Sequence, residues 1–144
     1  QRQMCIRDRC GGPCPGPHRD GFCEPGDPGH QHIVDPADLG TSVAFANGIC
    51  AASSRRIDAI HMPVVRGRTD DAYFKPLEDL NMPRETRLIL GLVHHTDGVE
   101  GGKTRIAAAN KYVSDYDIAT ECGFGRRDPV TIRELLQIHR DLCT

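Results

Sequence analysis

The chain has 144 residues, enough for one ordinary domain, and 38% of them are hydrophobic with no Trp, so its core is aliphatic and modest. The formal net charge is −2 with Lys and Arg scattered, which leaves no basic stripe for nucleic acid and no basic face for a membrane surface. No apolar run approaches the roughly 18–20 residues that span a bilayer.

The first nine residues, QRQMCIRDR (Gln1–Arg9), have no apolar period. They match the translation of a transposase-end sequencing adapter. Residues 1–9 are therefore set apart from the fold as an adapter scar, with a reading frame cut upstream; the alternative is a basic N-terminal arm. CGGPCPGPHRDG (Cys10–Gly21) is turn-rich, and residues 10–20 read as a Gly/Pro loop or a shortened native segment. A first strand is expected near Asp20–Glu24. DPADLGTSVAFANGICAA then predicts a helix, with Asp35 as N-cap, Pro36 at the first helical position and Asp38 in the first turn. RRIDAI (Arg55–Ile60) predicts a short buried strand, and DDAYFKPLEDL a short helix whose regularity Pro76 limits. RLILGLV (Arg87–Val93) is the strongest strand signal. GGKTRIAAANKYV predicts a helix through Ile106, Ala109 and Val113, and YDIATE (Tyr116–Glu121) a weaker strand. DPVTIRELLQIHRDLC predicts a last helix, capped by Asp128 and Pro129, with Ile132, Leu135, Leu136 and Leu142 as its apolar stripe.

Strand–helix alternation of this kind builds a parallel sheet, so the fold class is α/β. Residues 21–144 hold about four βα units, half of the (β/α)8 TIM barrel that typically takes about 250 residues. The expectation is the C-terminal half of such a barrel, as a truncated fragment. An open α/β sandwich is the structural alternative. A half barrel leaves unpaired edges and an exposed inner face.

Chemistry in parallel βα folds gathers at the carboxyl ends of strands. Those ends carry Cys23-Glu24, His61, His94-His95 with Asp97, and Glu121-Cys122. Cys23, His61 and Cys122 could share one metal; two thiolates and an imidazole suit Zn²⁺ with an open position. The alternative for a buried Cys is an inert apolar residue, which fits Cys50 and Cys143 best. The wide spacing of the cysteines points to free thiols and a cytoplasmic location. His30 and His32 lie in a Gly/Pro loop that reads as solvated.

HHTDGVEGGKT follows a strand and precedes a helix, as a phosphate loop does, and Gly102-Lys103-Thr104 fits the Walker pattern. The first Walker position holds Asp97, whose charge repels phosphate. A loop at the barrel mouth, with Asp97 orienting substrate or a neighbouring His, is the better reading. Arg66 and Arg68, after the His61 strand, could hold a substrate carboxylate; the alternative is a solvated charge cluster.

HMPVVRGRTDDAYFKPLEDL, RLILGLVHHTDGVEGG, ATECGFGRR and GDPGHQHIVDPAD resemble the carboxyl-terminal part of the cobalamin-independent methionine synthase superfamily, which includes uroporphyrinogen decarboxylase. The likeness runs over about Gly21–Thr144. It implies a barrel that binds zinc through a His-x-Cys pair, a Glu and a later Cys-Gly. Cys122-Gly123 matches the last ligand and Cys23 the cysteine of the pair, while Gly21 stands at the histidine position and His61 at the Glu position. His18 or His30 could stand in for the absent histidine. The implied activity is zinc-assisted transfer of a methyl or alkyl group to a small thiol substrate, with a folate as methyl donor. Cys23, His61 and Cys122 would hold zinc. His94, His95 and Asp97 would serve catalysis, and Arg66, Arg68 and Glu121 substrate binding. The alternatives are a metal-free decarboxylase-like barrel and a non-catalytic ligand-binding module. The fragment alone is expected to be inactive.

Overall fold

The structure is a computed structural model and describes residues 5–7, 36–121, 124 and 127–144. The strand expected near Asp20–Glu24 lies outside these residues. In chain order the elements are strand β1 (Cys5–Arg7), helix α1 (Gly40–Ala52), β2 (Ala59–Pro63), α2 (Asp71–Phe74) continued by a 3₁₀ turn (Lys75–Asp79), β3 (Arg87–Val93), α3 (Gly98–Ala109), β4 (Asp117–Thr120) and α4 (Pro129–Leu142).

The sheet order is β1-β2-β3-β4. β2, β3 and β4 are parallel, with His61 opposite Ile89, Pro63 opposite Gly91, and Leu90 opposite Ile118. The fold is therefore α/β around a three-stranded parallel ladder, as the alternation of elements predicts. β1 runs antiparallel along the outer edge of β2, pairing Cys5 with His61. It comes from the segment read as an adapter scar. Edge pairing of this kind uses backbone groups and is open to any extended segment.

Each parallel strand splits its side chains by alternation. Ile60, Met62, Val64, Leu88, Leu90 and Leu92 join one buried cluster with Leu39, Val43 and Ala46 around α1, Tyr73, Phe74 and Leu77 around α2, and Ala108 and Ala109 of α3. His61 and Ile89, on the alternate face, are only half-buried. The helices that build this cluster thus cover one face of the ladder and leave the other to the site.

β2 runs on past Ile60 to Pro63, so His61, expected at the strand end, lies within the strand, and three element starts differ from the sequence reading by three residues or more. β2 starts at Ala59, four residues after Arg55, because Arg56 is engaged at 2.9 Å by Asp58 and the Ile57 carbonyl accepts from the Thr86 hydroxyl at 2.8 Å. α1 starts at Gly40, not after Asp35. Arg68 donates to the Ala37 carbonyl at 2.8 Å and the Asp38 carboxylate accepts from the Gly40 amide at 2.8 Å, so residues 36–39 form a bend. α3 starts at Gly98, which adopts φ 57°, a value that suits glycine.

α4 begins as predicted: the Asp128 carboxylate accepts from the Val130 amide at 3.0 Å and Pro129 takes the first turn. Leu135 is buried, but Leu136, expected in the same stripe, is exposed. Among the described residues no helix is long and apolar enough to cross a membrane.

Candidate functional site

Gly91 in β3 is the pivot of the carboxyl end of the sheet. A Cβ placed on it would lie 2.8 Å from the Glu121 Cα and 3.2 Å from His61 Nε2. The missing side chain lets β4 approach β3 closely, and the His61 ring occupies the space beside it. The ladder is irregular here, between Leu90 and Val93, which accommodates this approach. His61, within β2, and Glu121, just beyond β4, thereby both come close to Gly91.

His61 Nε2 is buried and has no hydrogen-bond partner among the described residues. Burial pushes its pKa down, against a bond to the Thr120 backbone that raises it. A neutral imidazole keeps a lone pair, the state that binds metal or accepts a proton.

His94 lies just beyond β3 and is 1% exposed. Its Nε2–H donates to the Val64 carbonyl at 2.9 Å, because a carbonyl can only accept. In the neutral ring Nδ1 then keeps the lone pair, and it stands 3.9 Å from Glu121 Oε2. Burial, followed by the positive charge of Arg105, lowers the His94 pKa to about 4. His94 thus ties the loop after β3 to the segment after β2 through the Val64 carbonyl, with Glu121 nearby but beyond hydrogen-bond distance.

Asp97 and Arg105 form a second feature, which sequence reasoning missed. Arg105 is 1% exposed. It grips Asp97 in bidentate fashion at 2.6 and 2.9 Å, and donates also to the carbonyls of Leu92 and Arg66, each at 2.8 Å. Burial raises the Asp97 pKa, but the hydrogen bonds and charge of Arg105 outweigh it, and the net shift is downward. The carboxylate faces Gly101 so closely that a Cβ there would collide with it. Asp97 is therefore a structural anion that ties the start of α3 to β3. Its separation of eight residues from Arg105 gives no periodic signal, because the two lie on either side of a helix start. Gly91 did carry a signal: a lone Gly inside an apolar strand marks a close approach.

The other residues divide. His95 Nε2 pairs with Glu134 Oε2 of α4 at 2.6 Å. Arg68 is committed to Asp70 at 2.7 and 3.0 Å, to the Ala37 carbonyl, and to the face of Tyr73 at 4.7 Å. Arg66 is exposed and donates from Nη1 to Thr96 Oγ1 at 2.8 Å. Only one of the two arginines expected to share a carboxylate is thus uncommitted to an acidic partner. Glu121 is buried beside His94. Cys23 and Cys122, with His18, His30 and His32, lie outside the described residues. Among the described residues no group of three or more His, Cys, Asp or Glu is placed to hold a metal ion.

The arrangement is that of a parallel α/β protein whose polar site sits at the strand carboxyl ends, on the face away from the helices. No family model, curated protein or solved structure matches the chain.

Proposed function

We propose that the chain is part of a methionine-synthase-like (β/α)8 barrel enzyme that transfers a methyl or related alkyl group to a small thiol, with zinc at the strand ends. The observation that carries this reading is the buried Nε2 of His61, which has no hydrogen-bond partner among the described residues, beside Gly91 and Glu121. A buried nitrogen without a partner is costly unless a ligand uses it. An imidazole with a lowered pKa fits a zinc ligand, and Cys122, next to Glu121, and Cys23 would supply thiolate ligands. Zinc, when bound, holds a substrate thiol as its thiolate at neutral pH.

The chain's own residues have narrower tasks. His61 presents its lone pair from within β2, beside Gly91. Gly91 keeps β4 close enough for Glu121 to lie beside His61. His94 holds the Val64 carbonyl, which fixes the segment after β2 against the end of β3. Asp97 and His95 act on the frame of the loop, through Arg105 and Glu134. The commitment of Arg68 to Asp70 weakens the metal-free, decarboxylase-like alternative, which needs a pair of arginines for substrate carboxylates.

The test is methyl transfer from a methylfolate to homocysteine by the product of the complete reading frame. Turnover that is lost on chelation and restored by zinc is expected. A zinc-loaded protein that methylates no thiol would overturn the proposal.

A further inference from the structure

The sheet has two sides, and they are finished differently. On one side β4 opens on Asp117, whose carboxylate holds the Arg87 guanidinium at 2.6 and 2.8 Å. Charge on a short edge strand discourages further pairing. On the other side β2, AIHMP, carries no Lys, Arg, Asp or Glu, and its one Pro stands at the last position. Ile60 and Met62 belong to the main cluster, so the backbone of β2 is held in place. Nothing in its own sequence blunts its outer edge. β1 covers that edge instead, with Cys5 opposite His61, Ile6 opposite Ile60 and Arg7 opposite Ala59. This pair is antiparallel, whereas the pairs of β3 with β2 and β4 are parallel.

β1 has three residues, so few backbone bonds hold it. Its tether to the same chain keeps it in place, because an intramolecular partner outcompetes a free one. β2 of a second copy offers five residues for the same edge. Two identical edges meeting about a twofold axis run antiparallel, the orientation that β1 already shows this edge to accept. We propose that β1 is a guard strand for the outer edge of β2, and that a second copy of the chain pairs there, β2 against β2, once β1 is displaced. The proposal concerns the state of association and stands apart from the zinc reading.

The test is the whole chain carrying both Cys5→Pro and Ile6→Pro. Neighbouring strand residues point their N–H groups to opposite edges, so one of the two prolines removes a donor facing β2 whichever bonds β1 makes. By sedimentation the natural chain should have the mass of one copy, and the variant should rise to twice that mass with concentration. Amide exchange resolved by residue gives the location. The outward amides of Ala59–Met62 should be slow in the natural chain, fast in the dilute variant, and slow again as the variant pairs. A variant that stays single at every concentration overturns the proposal, as does a natural chain that pairs equally well. Pairing without recovery of those amides places the interface elsewhere and overturns it too. Loss of protection in β3 would make β1 a part of the fold and not a guard, which also overturns it.

Discussion

His94 couples the site to stability through its proton. Its pKa is about 4 in the folded protein, against an ordinary value of 6.5. Between these values the unfolded chain binds more protons, so stability is full above about pH 6.5 and falls as pH drops towards 4. The loss between pH 7 and pH 5 is about 2 kcal/mol for this group alone. His61, whose pKa is also lowered, adds a change of the same sign. Asp97 acts elsewhere: its lowered pKa gives stability that is present above the ordinary carboxylate range and is lost only in stronger acid. Urea unfolding at pH 7 and pH 5 should therefore show a marked loss in the natural protein. His94→Gln should show a loss smaller by about 2 kcal/mol; an undiminished loss would show that His94 is not the group responsible. At this scale the sequence singled out His61 and Glu121, which do lie beside Gly91, although His61 sits within β2 and not at its end. It could not show that Asp97 is consumed by Arg105 or Arg68 by Asp70. Those pairings depend on how loops and a helix start fold over the rim, and no periodicity records that.

The pairing of β3 with β4 depends on the absence of a side chain at Gly91. Gly91→Ala would place a methyl group 2.8 Å from the Glu121 Cα, and a backbone atom in a strand cannot swing aside. The substitution should cost about 1–3 kcal/mol, read as a lowered urea midpoint. Gly48→Ala, inside α1 with nothing within 4 Å of the new Cβ, should instead stabilise by about 0.5–1 kcal/mol. If Gly91→Ala is as stable as the natural protein, the close approach of the two strands is wrong. Elements with local causes were legible in the sequence. β3 coincides with RLILGLV, and α4 starts where Asp128 and Pro129 predict, because a cap needs only neighbouring residues. α1 was misplaced because its start is decided by Arg68, 31 residues downstream of Ala37. Leu136 was assigned to the buried stripe of α4 on spacing alone. Only Leu135 is fully buried on that helix, and Gly102 of α3 meets Leu142 at its far end.

For the whole molecule, the parallel strands stand in chain order, and the helical residues of the main cluster pack against one face. Sequential order without a reversal is how a barrel grows, and it occurs in each half of a doubly wound open sheet as well. Three sequential parallel strands are compatible with a partial α/β fold of either kind, barrel or open sheet. Covering one face also concentrates function: His61 and Ile89 turn away from the helices, so polar groups collect where the strands end. The account stands or falls on that convergence reaching as far as Cys23 and Cys122. X-ray absorption on the zinc-loaded full chain measures it directly. The prediction is about one zinc per chain with one nitrogen neighbour at about 2.0 Å and two sulfurs at about 2.3 Å, the nitrogen being lost in His61→Ala. Zinc that does not bind, or a coordination shell unchanged by His61→Ala, would contradict it.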